Sequence, residues 1–210
     1  MKKRLTRQES RALTQAKLLQ SAAKIIARKG FAGASIEDIA EAAGFSRGAF
    51  HANFKSKDEL FLALLDKQVK VLTASIHGTL NAAHTPEETL TNLSAAYSFY
   101  SGADKDAFLL LTEAQLYSLR NPRFGKKLNA LFQGIYNSLI GTISQFQQQL
   151  GVNSPDFAER MVLLGFALVH GMTLHNLMDP ERFPDQMVSQ SLQFAFERIF
   201  ALAAPDAPTK

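Results

Sequence analysis

Residues 35–54, with the sequence SIEDIAEAAGFSRGAFHANF, decide the fold of the N-terminal part of the chain. Ser35 is followed three residues later by Asp38, the pattern of a capping box that starts a helix. Gly44 ends that helix, because glycine readily adopts the left-handed backbone of a tight turn. Ser46 then caps a second short helix that reaches about Asn53. Two short helices joined by such a turn form a helix-turn-helix, a motif whose second helix can enter the major groove of DNA.

The second helix of this motif has a buried face and an outward face. Phe45, Phe50 and Phe54 are expected to pack it against the first helix, whose small Ala40 and Ala43 allow a close approach. Arg binds guanine and Asn binds adenine in the major groove, so the outward face can read bases. The residues left to face outward or sideways are Arg47, Gly48, Ala49, His51 and Asn53.

Helix signals continue through the whole chain, and no strand pattern competes with them. Caps, glycines and prolines, combined with apolar residues three and four apart, predict about nine helices. Their approximate ranges are 10–29, 35–43, 46–53, 56–83, 85–101, 104–119, 121–150, 154–178 and 184–203. We therefore expect an all-α protein in which a long helix, starting near Lys57, joins a small domain of three helices to a larger helical domain.

Charge is distributed unevenly along the 210 residues. Residues 1–60 contain twelve Lys and Arg against six Asp and Glu, whereas the remaining residues contain eleven against thirteen. A basic N-terminal part suggests a polyanionic partner such as nucleic acid. The chain contains no Cys and lacks the apolar segment of a signal peptide, and its longest apolar stretch, 161–169, is too short to span a membrane. We expect a cytoplasmic protein that does not enter a membrane.

The sequence offers little support for catalysis. It has no His-Glu-x-x-His zinc motif, no glycine-rich phosphate loop and no nucleophile elbow. His170 and His175 are five residues apart rather than the four that align two ligands on a helix, and Glu87 with Glu88 is typical of a helix start. We therefore predict a protein that is not an enzyme and that holds no metal and no cofactor.

The segment GFSRGAFHANFKSKDEL, residues 44–60, resembles the recognition helix and the start of the next helix in the TetR family. Gly30 with Phe31, the SIEDIA segment at 35–40 and the Arg-Asn-Pro sequence at 120–122 fit the same family. The resemblance covers roughly residues 12–72, and beyond them it extends to the number and order of the helices. It implies that the chain regulates transcription by binding DNA.

The resemblance also implies a domain organisation and a set of DNA contacts. Residues 1–56 would form the DNA-binding domain and 57–210 a ligand-binding and dimerisation domain, so that a homodimer binds palindromic operator DNA. Arg47 would contact bases, whereas His51 and Asn53 stand where the family usually has other side chains, so their contacts are not carried over unchanged. The residues predicted to contact DNA, some through phosphates at helix starts, are Ser35, Ser46, Arg47, Gly48, Ala49, His51, Asn53 and Lys57.

Two further sets of residues are predicted in the larger domain. The family's ligand cavity is lined by aromatic and flexible apolar residues, although such residues can equally fill a core. The candidate pocket residues are Phe99, Phe108, Gln115, Tyr117, Tyr136, Met161, His170 and His175. The last two helices pair with a second copy in the family, and the contacts predicted there are Gly165, Leu168, Gly171, Met172, Leu192, Ala195 and Ile199.

The leading interpretation is a repressor that a small molecule releases from its operator. Few Lys or Arg lie among the candidate pocket residues, which favours an apolar or aromatic effector. One alternative is a DNA-binding regulator without a small-molecule inducer, controlled by another protein or acting as an activator. Another is a helical ligand-binding or scaffold protein that no longer binds DNA, which Ala52 and the missing Tyr at position 51 leave open.

Overall fold

The computed structural model of the protein describes residues 6–81, 88, 105–149 and 155–203. Within these ranges it contains helices and no strand, so the expected all-α fold is confirmed. The helix predicted over 85–101 lies outside the described residues, apart from Glu88, and so do Phe99 and the side chain of Ile199. The eight helices are α1 Arg7–Gly33, α2 Ile36–Ala42, α3 Arg47–His51, α4 Lys57–Asn81, α5 Lys105–Arg120, α6 Pro122–Gln149, α7 Phe157–Met178 and α8 Asp185–Ala203.

Helix α1 begins earlier than predicted and breaks where predicted. Thr6 and Glu9 form a capping box that the sequence analysis missed: the Thr6 hydroxyl accepts from the Glu9 N–H at 3.2 Å, and the Glu9 carboxylate accepts from the Thr6 N–H at 2.7 Å. Gly30 interrupts the helix with φ +74°, a backbone conformation that costs glycine little. One further helical turn, 31–33, follows the break and turns the chain towards α2.

The helix-turn-helix has the predicted caps. The Ser35 hydroxyl accepts from the Asp38 N–H at 2.9 Å, and the Asp38 carboxylate accepts from the Ser35 N–H at 3.2 Å. The ammonium of Lys29, 3.0 Å away, and the bonds to Ser35 lower the pKa of Asp38 from 3.8 to about 2. Gly44 has φ +76°, and the Ser46 hydroxyl accepts from the Ala49 N–H at 3.3 Å to start α3.

Two later helices also start at predicted caps. The Ser56 hydroxyl accepts from the Glu59 N–H at 3.1 Å at the start of α4, but the Glu59 carboxylate accepts from the N–H of Lys55 at 2.9 Å rather than completing a box with Ser56. At the start of α6 the Asn121 side-chain oxygen accepts from the Phe124 N–H at 3.2 Å. These caps could be predicted from the sequence because the donor and the acceptor of each hydrogen bond lie within four residues of each other.

Two compact units are present, and they differ from the predicted domains. The head unit comprises the chain up to Val69 together with Asp106–Leu131, and the body unit comprises the rest. The head unit therefore takes in α5 and the start of α6, in addition to the helices of the predicted DNA-binding domain. Packing explains this division, because rings from α4 and α6 are buried against Phe31 of α1.

Each unit has its own apolar core. In the head unit, α1 to α4 bury side chains completely, including Leu18, Ile26, Ile39, Phe50 and Leu60. In the body unit, α6, α7 and α8 form one cluster whose members include Ile135, Leu139, Met161, Val169, Leu192 and Phe196. The turn between α7 and α8 is tied by the buried Asn176, whose amide donates to the Phe183 carbonyl at 2.8 Å and to the Asp185 carboxylate at 2.9 Å.

Candidate functional site

Helix α3 is held by one side and exposed on the other. Phe50 is fully buried and its ring contacts Phe54 with a centroid distance of 5.9 Å, which fixes the helix on the head unit. Arg47, Gly48 and His51 are exposed, as expected from the sequence. With the positively charged Arg47 in its first turn, α3 presents the kind of surface that enters a major groove.

Arg47 has an ion-pair partner that the sequence analysis did not identify. Its guanidinium lies 2.8 Å from the carboxylate of Glu37 in the first turn of α2. Both side chains are mostly exposed, and an ion pair of that kind contributes at most about 1 kcal/mol. A guanine edge or a phosphate can therefore displace Glu37 from Arg47 at little cost.

Ala49 and Asn53, which were also predicted to contact DNA, are less accessible than Arg47. Ala49 is half-buried, and Asn53 donates from its amide to the Ala49 carbonyl at 2.8 Å. The side-chain oxygen of Asn53 is buried and has no hydrogen-bond partner among the described residues. Asn53 thus mainly closes the C-terminal end of α3, and a role in reading adenine stays a prediction.

Ser35 and Ser46 use their hydroxyl oxygens as helix caps. A hydroxyl that accepts a hydrogen bond still carries a proton to donate. Ser35 is half-buried and Ser46 is exposed, so both caps are compatible with donation to a phosphate oxygen. These phosphate contacts stay predictions.

Lys57 lies in a different environment from the one expected for a phosphate ligand. Its Nζ donates to the carbonyls of Phe31 at 2.7 Å and Ala34 at 2.8 Å, and it lies 4.4 Å from the centroid of the Phe31 ring. Burial lowers the pKa of Lys57 from its ordinary value, and the nearby Asp58 partly opposes this. An ammonium has three N–H donors, so one donor remains for a phosphate after these bonds. The main role of Lys57 is structural, since it donates hydrogen bonds to two backbone carbonyls that follow the helix break at Gly30.

Four aromatic rings from α1, α4, α5 and α6 pack together inside the head unit. The Phe31 ring lies 4.6 Å from Phe61, 4.5 Å from Tyr117 and 6.3 Å from Phe124, measured between centroids. Tyr117 and Phe124 are 4.9 Å apart. We call Phe31, Phe61, Tyr117 and Phe124 the aromatic cluster. It connects the α1 break to the α5–α6 corner.

Polar bonds surround this cluster. The Glu113 carboxylate accepts from the Phe31 N–H at 2.9 Å, across 82 residues of sequence. The Tyr117 hydroxyl donates to the Asp58 carboxylate at 3.2 Å and accepts from the Asn121 amide at 2.9 Å. Tyr117, predicted to line a ligand pocket, is therefore part of the head unit's internal packing.

The other predicted pocket residues separate into three groups. Phe108 is buried in the head unit, whereas Gln115 and His175 are exposed, and His175 contacts the Phe183 ring with centroids 5.5 Å apart. The exposed positions of Gln115 and His175 do not line an enclosed pocket in a protomer. The predicted pocket residues that remain, Tyr136, Met161 and His170, belong to the body unit.

Tyr136 lies among apolar groups of the body unit. Its ring packs edge-on against Phe166 with centroids 5.0 Å apart, and both pack on the core cluster that contains Met161. His170 follows Phe166 by one helical turn, so the two share a face of α7. Burial raises the pKa of Tyr136 and lowers the pKa of His170, which keeps both side chains neutral at pH 7.

The predicted dimer contacts also divide. Gly165 and Leu192 are buried in the body core, and Leu168 and Met172 pack against it, so the first pair is unavailable to a partner. Ala195 is half-buried. The prediction for Gly165 and Leu192 is wrong because it selected apolar residues without separating the two sides of each helix.

A row of apolar residues instead runs along the exposed side of α7. The α7 stripe consists of Leu163, Ala167, Gly171, Leu174 and Met178, spaced by three or four residues as one helical face requires. Leu163 and Met178 are 66% and 73% exposed. A Cβ added at Gly171 would have no atom of the described residues within 4 Å. Met187 and Phe194, two turns apart on α8, are exposed as well.

Helix α7 is long and apolar enough to cross a membrane by length and composition, and 33% of its most apolar stretch is buried within the protomer. One such helix is weak evidence for a membrane span, because a core helix of a soluble protein has the same properties.

The three-helix arrangement and the exposed α3 define a helix-turn-helix DNA-binding protein. Residues 18–64 match the family model of bacterial regulatory proteins, tetR family. The HTH-type transcriptional regulator CymR of Pseudomonas putida is 31% identical over 206 residues, which cover 93% of this chain and 96% of CymR. The chain belongs to the TetR family of transcriptional regulators, and it is not an enzyme.

Solved structures share the fold. A regulator from Pseudomonas aeruginosa PAO1 superposes with a TM-score of 0.78 at 20% identity, covering 96% of this chain and 94% of the other. The FadR regulator of Bacillus subtilis, solved with stearoyl-CoA, has a TM-score of 0.73 at 17% identity and covers 86% of this chain and 96% of its own. These similarities confirm the overall fold.

The position of Lys57 leads to a prediction about stability. Lys57→Met keeps the apolar stem but removes the donors to Phe31 and Ala34, so we expect the free energy of unfolding to fall by about 1–3 kcal/mol. Denaturation with urea measures this change. The matched control is Lys55→Met, which alters the same charge at an exposed neighbour and should change stability by less than about 0.5 kcal/mol. Equal stability of the two variants would contradict the structural role of Lys57.

Proposed function

We propose that the protein is a homodimeric regulator that binds a palindromic operator and is released from it by a small apolar or aromatic molecule, acting as a cytoplasmic repressor. The observation that carries the DNA-binding part is the exposure of α3, where the contact that restrains Arg47 among the described residues is a surface ion pair with Glu37. Arg47 reads a base in each half-site, and the serine caps hold phosphates. Two such sites related by two-fold symmetry require half-sites about one helical turn apart, or a multiple of it.

The α7 stripe supports dimerisation. Among the large apolar side chains that are exposed in the described residues, six of ten lie on α7 and α8. Water-exposed apolar rows of this kind are typical of surfaces that bind another protein. A second copy offers the same stripe, and an isologous pairing of α7 and α8 would cover both stripes at once.

Effector binding is assigned to the body unit near Tyr136, Phe166 and His170. The neutral phenol and imidazole there offer one or two hydrogen bonds in an apolar environment, which suits an apolar or aromatic molecule with few polar groups. FadR of Bacillus subtilis, which shares the fold, holds stearoyl-CoA. An effector at this site lowers operator affinity only if it binds the DNA-free conformation more tightly, because coupling between two sites is reciprocal.

Arg47→Ala tests base reading. We expect it to weaken binding to an operator selected from a random duplex library by about 1–3 kcal/mol, with a smaller loss on random duplex, because a base contact carries the sequence information. Glu37→Gln is the companion variant: it frees Arg47 and removes a negative charge beside the DNA, so operator affinity should rise. Fluorescence anisotropy measures both. Equal losses for Arg47→Ala on operator and random duplex would reassign Arg47 to the phosphates.

Gly171→Arg tests the dimer surface. The Cβ of the new side chain has no neighbour within 4 Å among the described residues of the protomer, and its charge lies in the α7 stripe, so we expect monomers in sedimentation together with a loss of operator affinity. Gly134→Arg is the control, since Gly134 is an exposed glycine inside a helix and an added Cβ there likewise has no described atom within 4 Å. A Gly171→Arg protein that sediments as a dimer would place the interface elsewhere.

Effector binding is tested by a thermal-shift screen with aromatic acids and long-chain acyl thioesters, followed by operator titrations. Tyr136→Phe and His170→Phe should each weaken the response to a compound found in this way several-fold, because each loses one polar contact. Operator affinity without the compound should stay the same. A compound that lowers operator affinity without itself binding more weakly to the DNA complex would refute the two-state scheme.

A further inference from the structure

Three cations outside the helix-turn-helix meet at an open groove of the head unit. The groove has a volume of about 460 Å³ and is bounded by the start of α4 and the start of α6. Lys55, Arg123 and Lys127 supply its basic side chains, and we call these three residues the basic groove. None of them belongs to the recognition helix or to its caps.

The surroundings of the basic groove are strongly positive. Arg120, Arg123, Lys126 and Lys127 occur within eight residues, all are exposed, and none forms an ion pair among the described residues. The sequence contains no Asp or Glu between Glu113 and Asp156, so no acid of α6 balances them. Basic residues near the N-terminal end of a helix also oppose its dipole. This arrangement costs the free protein stability, which an anionic partner would restore.

Two carboxylates line the same groove, and both are engaged. The Asp58 carboxylate accepts from the Tyr117 hydroxyl at 3.2 Å, and the Glu59 carboxylate accepts from the Lys55 N–H at 2.9 Å. These bonds hold the acids against the protein, whereas the side chains of the three cations form no hydrogen bond or ion pair with any described residue. The groove therefore presents a small excess of positive charge, and Arg120 and Lys126 are close to its basic residues along the chain.

The groove continues from the recognition helix along the chain. His51 is the last residue of α3, and Lys55 follows four residues later as the first side chain of the groove. A DNA duplex carries one negative charge for about every 1.7 Å of its axis, so phosphates extend well beyond those beside α3. Charge complementarity and this continuity favour duplex DNA as the partner.

We propose that Lys55, Arg123 and Lys127 form an auxiliary phosphate-binding surface, which holds the DNA backbone beside the segment read by α3. The inference rests on the proposed operator binding through α3 and adds contacts from α6. Phosphate contacts position the protein without reading sequence. The basic groove therefore strengthens binding to operator and random duplex alike and increases the salt dependence of both.

The test is the double variant Arg123→Gln/Lys127→Gln, titrated with operator duplex and with random duplex between 50 and 200 mM salt. Each phosphate contact contributes about 0.9 to the slope of log affinity against log salt, so the slope should decrease by up to roughly two per subunit. For each lost contact, the factor by which affinity falls between 50 and 200 mM salt should become about 3.5 times smaller. Both duplexes should show the same change, and phosphate ethylation should interfere at fewer positions.

The matched control is Lys105→Gln/Arg182→Gln, which removes the same charge from exposed residues of the body unit and should leave the slope unchanged. If the double variant loses its helical circular dichroism, the single variant Lys127→Gln is titrated in its place. A slope that is unchanged, or equal to that of the control variant, overturns the inference. That result is expected if the groove binds an acidic protein or a small anion instead of DNA. If the wild type binds no duplex, the proposed operator binding itself is wrong. If Arg47→Ala weakens DNA binding but the double variant does not change it, the inference about the basic groove alone is wrong.

Discussion

The head unit depends on how the chain is held at Phe31, directly after α1 breaks at Gly30. The Phe31 N–H donates to Glu113 of α5, its carbonyl accepts from Lys57 of α4, and its ring lies under the Lys57 ammonium and against the rest of the aromatic cluster. A helix break leaves backbone groups without intrahelical partners, and leaving them unpaired away from water is costly. Here α4 and α5 supply the partners. One residue therefore links three helices, and the start of α2 follows only a few residues later.

This arrangement explains why α5 belongs with the DNA-binding helices. The contact between Glu113 and Phe31 leaves little room at Gly30, where an added Cβ would lie 3.3 Å from the Glu113 carboxylate. Glycine at this position thus meets two demands, the positive φ and the close approach of α5. Tyr117 adds a second connection, because its hydroxyl bonds to Asp58 in the first turn of α4. A movement of α5 would therefore displace the start of α4, which directly follows the recognition helix.

The sequence predicted what depends on neighbours along the chain and missed what depends on distant partners. The caps at Ser35, Ser46 and Asn121 were predictable because donor and acceptor lie three residues apart. The environment of Lys57 was not, since its acceptors lie 26 and 23 residues away. Glu113 is an unremarkable helical acid until its partner 82 residues away is known. Apolar composition likewise does not show which side of a helix the protomer itself buries, as the buried Gly165 and Leu192 illustrate.

Helix α7 shows how this last ambiguity bears on function. A helix that is apolar on all sides is stable in water only when both sides are covered. The body core covers the side that carries Met161 and Val169, and the α7 stripe on the other side stays open in the protomer. The open side is interrupted by Gly171, which permits close approach of a second backbone but weakens the helix by about 1 kcal/mol relative to alanine. A partner helix at that position would offset the loss. Pairing would then become part of the stability of the protomer, and operator binding by two heads would depend on protein concentration in the same way.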